Sequence, residues 1–423
     1  MSVELILLFV VFAGLLVSTA PIAVVLGLTA LLYFYYFTTI PLAQLPRNLF
    51  HSLESFSLMA VPLFILAANI MTKGGLSKRM TDAVQAVVGR LPGGLAVTAV
   101  VACMFFAAIS GSSVATVVAI GSVLIPAMVV AGYGRELPTG IIATSGSMGI
   151  LIPPSIPLIV YGVVTESSIS DLFRAGLVPG IVVGLSLAIL VVLIAWRRGL
   201  RAADVGTVRE RLVALRRAVP GFLLPVLILG GIYGGVFTPT EAAGIAVAYA
   251  LIVAMVQREL RLSEIPGILV SSGRMSAMVM FIVANGYLFS FFLSNERIPH
   301  RVADALTALD LEPWAFLLLV NLILLAVGCF METSSAIVIL APIFIPIAAS
   351  LGINPIHFGI VMVMNLEVGL LTPPVGLNLF VASGISGLPV TRVARAALPS
   401  TALLLAAVLL ITYVPALALW LVE

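Results

Sequence analysis

Long apolar runs, broken by brief polar or glycine-proline interruptions, set the pattern of this chain. Read by hydropathy and helix breakers, uninterrupted helical spans are expected near 3–19, 21–38, 57–72, 176–196, 220–237, 241–257, 275–293 and 399–422. Two longer apolar stretches, 93–131 and 313–351, each contain a small polar cluster. The clusters are Ser110-Gly111-Ser112-Ser113 and Glu332-Thr333-Ser334-Ser335. Each stretch is followed by a span, 138–164 or 355–384, that contains a second interruption. Those interruptions read Gly149-Ile-Leu-Ile-Pro153-Pro154 and Gly369-Leu-Leu-Thr-Pro373-Pro374, 220 residues apart. The separation from Ser113 to Pro153 is 40 residues and that from Ser335 to Pro373 is 38. Segments 41–56 and 74–91 mix charged and apolar residues and read as interfacial amphipathic pieces.

A glycine and a proline pair remove helix hydrogen bonds, and in hydrocarbon the freed carbonyls survive only inside protein or beside a cavity. Matching breaks in two halves of a chain point to the binding site of a secondary transporter. The expected fold is therefore an all-α polytopic membrane protein, an inverted-repeat transporter with two re-entrant helical hairpins and two broken transmembrane helices. The expected organisation is N-terminal helices and an amphipathic arm over 1–92, a first transport repeat over 93–175 and further helices over 176–312. A second transport repeat over 313–398 and a C-terminal helix over 399–423 complete it.

Composition agrees: 61% of the 423 residues are hydrophobic and 9% charged, against roughly 25% charged in a soluble domain. The ~10-residue alternation of a membrane β-barrel is absent. Residues 3–18 lack a basic flank and run into a second apolar segment, so no cleaved leader is expected. No Gly-x4-Gly-Lys-Ser/Thr phosphate loop is present, which excludes ATP hydrolysis by that device. Cys103 and Cys329 fall in apolar helices and read as small core residues. The histidines show no ligand spacing, so no metal other than sodium is expected.

Charge then fixes the topology. If 93–131 and 313–351 enter and leave on one side while every other span crosses, 17 of the 21 basic residues share a side and only Arg47, Arg174, Arg297 and Arg301 lie opposite. That bias marks the basic side as cytoplasmic. It places both termini in the periplasm and makes the two hairpins enter from opposite faces. The net charge of +3 carries no implication for nucleic acid, and the Arg-rich segment 197–217 reads as a topology determinant.

Hydroxyls and unwound carbonyls can replace the water shell of sodium, and half-helix N-termini favour an anion. The tip serines can equally cap or glue helices. Glu332 and Glu367 lie at membrane depth, where a carboxylate is costly and usually functional. Either can bind a cation, relay protons or brace the break. Asn365 and Asn378 flank the same break. Glu241, after Thr238-Pro239-Thr240, reads as an N-terminal cap.

With these motifs the chain resembles the large, DctM-like membrane subunit of tripartite ATP-independent periplasmic (TRAP) transporters. The resemblance rests on Ala107-Ala-Ile-Ser-Gly-Ser-Ser-Val-Ala-Thr116, Gly149-Ile-Leu-Ile-Pro-Pro-Ser155 and Gly230-Gly-Ile-Tyr-Gly-Gly-Val-Phe-Thr-Pro-Thr-Glu-Ala-Ala243. It rests also on Phe330-Met-Glu-Thr-Ser-Ser-Ala336 and Asn365-Leu-Glu-Val-Gly-Leu-Leu-Thr-Pro-Pro-Val-Gly-Leu-Asn-Leu379. It implies an elevator-type transport domain holding the two hairpins and two broken helices, beside scaffold helices over 1–92 and 176–312. It also implies sodium-driven uptake of an organic acid, such as a C4-dicarboxylate or sugar acid, across the bacterial inner membrane. It implies two partners, a DctP-like periplasmic substrate-binding protein and a small DctQ-like membrane subunit, the latter expected as a separate chain. One sodium site is expected at Ser110, Ser112, Ser113, Gly149 and Pro153, and a second at Thr333, Ser334, Gly369, Thr372 and Pro373. Substrate contacts are expected at Ser113, Ser155, Ser335 and Asn378, with Asn365 and Glu367 supporting the second broken helix. Sodium is the coupling ion, and no other cofactor is expected. A stand-alone ion-coupled dicarboxylate transporter of the same hairpin architecture is the competing reading. An intramembrane enzyme lacks its clustered His, Asp or Cys, and a channel fits an occluded midplane site less well.

Overall fold

The computed structural model describes residues 3–18, 20–200, 206–298, 301 and 312–423. Its described residues form helices and connecting turns. Eight helices are long and apolar enough to cross a membrane, and Glu136–Leu151 with Ile156–Val164 adds a ninth span bent by 42°. The N-terminal segment comprises α1 (Val3–Val17), α2 (Ile22–Phe37), the short α3 (Gln44–Leu53), α4 (Ala60–Lys73) and the arm helix α5 (Leu76–Val88). The first hairpin is α6 (Gly94–Ser110) and α7 (Ser113–Val130), and the first broken helix is α8 (Glu136–Met148) and α9 (Ile156–Val164). Then come α10 (Ile169–Arg197), α11 (Val208–Tyr233), α12 (Pro239–Val256) and α13 (Ile265–Asn295). The second hairpin is α14 (Pro313–Gly328) and α15 (Thr333–Ser350), and the second broken helix is α16 (Pro355–Gly369) and α17 (Leu377–Ser386). The chain closes with α18 (Val390–Tyr413) and the single turn α19 (Ala416–Leu419).

Four helices start seven or more residues earlier than hydropathy predicts, α10 at Ile169 instead of 176 among them. α11 begins at Val208 instead of 220, α13 at Ile265 instead of 275, and α18 at Val390 instead of 399. The Arg-rich segment is therefore not one loop, because its second half, 208–217, is helical. Thr207 caps α11 with a reciprocal Glu210 bond, and Arg211 Nε donates to the Ala86 carbonyl at 2.7 Å. Polar helix turns at headgroup depth look like loops to a hydropathy scale, although backbone hydrogen bonds continue through them.

The loops gather on two opposite faces. One cavity joins Lys73–Asp82 with Arg209–Arg217 and Gln257–Glu259, and another joins Glu136, Arg198, Arg392 and Arg395. On the other face Ser55–Ser57, Glu166–Ser170 and Thr238–Thr240 share a cavity. Tyr161 donates there to the Pro355 carbonyl at 2.7 Å, and Tyr413 to that of Trp314 at 3.1 Å. Both ends of the first hairpin lie on the basic face, where Tyr133 faces the Leu95 and Ala96 backbone. Both ends of the second lie opposite, with Trp314 and Pro355. The hairpins enter from opposite faces, as the charge pattern requires.

The two repeats interlock. α7 packs against α17, and α15 packs against α9, so each hairpin's return arm lies on the second half of the other repeat's broken helix. Glycine fits the breaks against the hairpin arms. A Cβ on Gly149 would stand 2.4 Å from Ala107 Cβ, and one on Gly369 would stand 2.5 Å from Gly328 Cα. α10 lies against the first break, with Gly176 facing the Leu151 carbonyl and Gly180 facing Ile152. Cys103 and Cys329 are free and buried.

Two outcomes test this architecture. Gly369→Ala should destabilise the purified protein by about 1–3 kcal/mol through overpacking, read as a lower melting temperature. Gly384→Ala, with nothing within 4 Å of the added methyl, should leave that temperature unchanged. Cysteine labels at Thr207 and Val236, on opposite faces, should react from opposite sides of the membrane, Thr207 from the cytoplasm; reaction of both from one side would refute the topology.

Candidate ion and substrate site

Each hairpin turns by a specific device. α6 stops where Gly111 takes φ 60°, and Ser112 caps α7 by accepting from the Ala115 N–H at 3.4 Å. Ser110 Oγ pairs with Thr116 Oγ1 at 3.0 Å, and the Thr116 hydroxyl donates to the Ser112 carbonyl at 2.8 Å. At the second tip Glu332 takes the capping place. Its carboxylate accepts from the Ser335 N–H at 3.1 Å, the Ser335 hydroxyl at 3.4 Å and the Ser334 hydroxyl at 3.0 Å. Both tips are then pinned to the restart of a broken helix: Ile156 N–H donates to the Gly111 carbonyl at 3.1 Å and Gly376 N–H to that of Cys329 at 3.0 Å.

Glu367 lies where the two tips converge. Thr333, from the second tip, donates to its Oε1 at 2.8 Å, while Ser113, from the first, faces the same carboxyl. The side chain is fully buried, and Oε2 has no hydrogen-bond partner. The neighbouring amides brace the break. Asn378 Nδ2 reaches Ser147 Oγ, which ties the second broken helix to the first. Asn365 Nδ2 donates to Asn321 Oδ1 and to the Val361 carbonyl, both at 2.8 Å, and Asn321 Nδ2 donates to Thr412 at 3.2 Å. Asn365 Oδ1, Asn378 Oδ1 and Ser145 Oγ are buried without partners. An orphaned buried polar atom costs about 1–3 kcal/mol, and four of them, with Glu367 Oε2, gather on the two broken helices.

The expected ligands separate by role. Ser110, Ser112, Ser334 and Ser335 spend hydrogen bonds on the tips themselves, and Ser155 caps α9 by accepting from Leu158 N–H at 3.4 Å. Thr372 donates back to the Val368 carbonyl at 3.1 Å. Gly149 and Gly369 are filled on their Cα side by hairpin backbone. No described donor reaches the carbonyls of Pro153, Thr372 or Pro373, so these oxygens, with Ser113 Oγ and Glu367 Oε2, are acceptors of the kind a hard cation takes. The first break is buried throughout, whereas Pro373, Pro374 and Val375 are exposed beside Phe330 and Glu332 of the second tip. Among the described residues no His, Cys, Asp and Glu cluster suits a metal ion.

Hydropathy and motif spacing missed Ser145, Ser147, Thr116 and Asn321. The signal for two of them was present: Ser145 and Ser147 precede Gly149 by the offsets at which Asn365 and Glu367 precede Gly369. Glu241 forms the expected capping box, with Thr238 as its partner.

Residues 9–417 match the family described as "Tripartite ATP-independent periplasmic transporter, DctM component". A C4-dicarboxylate TRAP transporter large permease protein of Pseudomonas aeruginosa is 49% identical over 395 residues, covering 93% of this chain and 92% of that protein. Its counterpart of the same description in Rhodobacter capsulatus is 44% identical over 432 residues, covering 98% and 97%. Among solved structures, Neisseria gonorrhoeae MtrF superposes with a TM-score of 0.63 at 15% identity, covering 99% of this chain and 95% of MtrF; that likeness is one of fold. Two breaks pinned by two opposed hairpins, in a multi-pass chain with these relatives, fix its kinship: the chain belongs to the DctM-component family of TRAP transporters.

Proposed function

We propose that this chain is the permease subunit of a sodium-coupled, binding-protein-dependent importer of C4-dicarboxylates in the bacterial inner membrane. The observation that carries the reading is the convergence of both hairpin tips on the buried Glu367, beside break carbonyls that no donor reaches. The C4-dicarboxylate assignment is drawn from the descriptions of the relatives at 49% and 44% identity.

The chemistry follows from the donor set. Pro153 carbonyl and Ser113 Oγ serve one sodium ion, within the group Ser110, Ser112, Ser113, Gly149 and Pro153. Thr372 and Pro373 carbonyls serve a second, within the group Thr333, Ser334, Gly369, Thr372 and Pro373. The helices α7, α15, α9 and α17 all begin at the tips or breaks, so four positive helix ends surround the site and favour the substrate's carboxylates. The cations in turn neutralise Glu367 and the incoming anion, which couples the two bindings.

Transport is by an elevator: the interlocked repeats move as one body past α2, α4, α11, α12 and α13. The basic face is cytoplasmic. A periplasmic binding protein delivers the substrate, and a small DctQ-like membrane subunit completes the complex.

Two measurements test the reading. In liposomes with a sodium gradient, the lone chain should move no succinate, and adding the small subunit and the liganded binding protein should start uptake. Uptake by the lone chain would establish the stand-alone transporter instead. In the complete system, Ser113→Ala should raise the half-saturating sodium concentration about fivefold, the equivalent of ~1 kcal/mol for one hydroxyl. Thr372→Val should do less, because its hydroxyl is already committed to Val368. Unchanged sodium curves at equal expression would reduce these hydroxyls to helix glue.

A further inference from the structure

A cavity of about 1010 Å³ lies between the arm helix α5, the first turns of α11 and the end of α12. Five cations line it, Lys73, Lys78, Arg79, Arg209 and Arg217, against Asp82, Glu210 and Glu259. Two of the five are answered locally. The Arg79 guanidinium bonds Gln257 and Glu259, and Lys78 faces Asp82. The Glu210 carboxylate is held by the Thr207 N–H and hydroxyl. Lys73, Arg209 and Arg217 have no ion-pair partner among the described residues. Arg209, Val213 and Arg217 are four residues apart, so they share one face of α11.

The depth of this cavity identifies what it can hold. α11 has 26 residues, about 39 Å at 1.5 Å per residue, and exceeds the ~30 Å hydrocarbon core by about two turns. Its first turns therefore stand at headgroup level. Deeper along the same helix, beside the face that carries the cations, an apolar edge is exposed, with Val219 at 55%, Leu223 at 46% and Val226 at 64%. Across the cavity mouth, Val256 ends α12 at 77% exposure. A soluble anion needs the cations alone, whereas a lipid needs cations above and an apolar track beneath.

We propose that this cavity binds an anionic phospholipid, its headgroup phosphate on Lys73, Arg209 and Arg217 and its acyl chains along the exposed edge of α11. α5 packs on both α11 and α6. The bound headgroup thereby bridges the end of α4 to α11 around the arm that reaches the first hairpin.

The test uses the purified, delipidated full-length chain, with native mass spectrometry for retention and thermal unfolding for stabilisation. The probes are dioleoylphosphatidylglycerol, dioleoylphosphatidylcholine and inorganic phosphate. Phosphatidylglycerol should be retained and should stabilise the wild type, while phosphatidylcholine and phosphate should not. Lys73→Gln/Arg209→Gln/Arg217→Gln should weaken phosphatidylglycerol binding roughly 100-fold, from about 1 kcal/mol per cation. Ala214→Phe crowds the cavity beside Arg217, keeps every charge and should also weaken retention, which keeps the test decisive if the triple variant folds poorly. Arg392→Gln/Arg395→Gln removes charge from a different cavity on the same face and should bind as the wild type does. Equal retention of phosphatidylcholine, stabilisation by phosphate alone, an equal loss in the Arg392/Arg395 variant, or wild-type binding by Ala214→Phe would each overturn the assignment.

Discussion

The rest of this structure depends on how two interrupted helices are repaired inside a membrane. Where α8 and α16 stop, the backbone loses its own ladder, and no water is at hand to replace it. The repair comes from elsewhere in the chain: the Gly111 and Cys329 carbonyls, at the two hairpin tips, accept the N–H groups of Ile156 and Gly376 where the helices resume. A hairpin without its break would leave an orphaned tip carbonyl, and a break without its hairpin would leave an orphaned N–H. Each makes the other tolerable. That mutual need explains why the two features recur as a pair, and why the arms must approach closely enough for Gly149 to lie on Ala107 and Gly369 on Gly328.

The repair also concentrates function. Two tips fastened to two breaks bring Ser113 and Thr333 to one carboxyl, although they are 220 residues apart in sequence. An ionised carboxylate in a dry interior is expensive unless it is paired, so Glu367 needs either a proton or nearby positive charge. No lysine or arginine approaches it closely enough to pair with it among the described residues. The positive helix ends are the chain's own contribution, and under the proposed sodium coupling a bound cation would add to them.

Breaks, hairpins and opposed entry were legible in the sequence because proline pairs, glycines and arginine asymmetry are local signals with few structural meanings in hydrocarbon. The starts of α11, α13 and α18 were not, since polar first turns at headgroup level carry no hydropathy signal. Glu332 was read as a cation ligand, a proton relay or a brace for the broken helix because of its depth; in the structure it is the cap of α15, a place more often held by Ser, Thr, Asp or Asn. Its equivalent, Ser112, shows the role plainly. Ser147 was hidden for the opposite reason: a serine in an apolar helix usually bonds its own backbone, and its acceptance of Asn378 is a long-range contact that no local pattern announces.

The repeats share a plan but not a chemistry, and the differences fall where transport needs them. Counting back from the break glycines, Ser145 and Ser147 in the first repeat stand where Asn365 and Glu367 stand in the second. The first break is sealed: its tip is capped by a neutral serine, and residues 149–155 are buried. The second carries the carboxylates, Glu332 at the tip and Glu367 at the break, and opens to the outside of the fold through Pro373, Pro374 and Val375. A symmetric fold gives two equivalent frames in which a cation can be held. Placing the acids and the exposed break in one frame alone makes the two frames chemically unequal, because only the second carries a buried charge that a cation or a proton must answer.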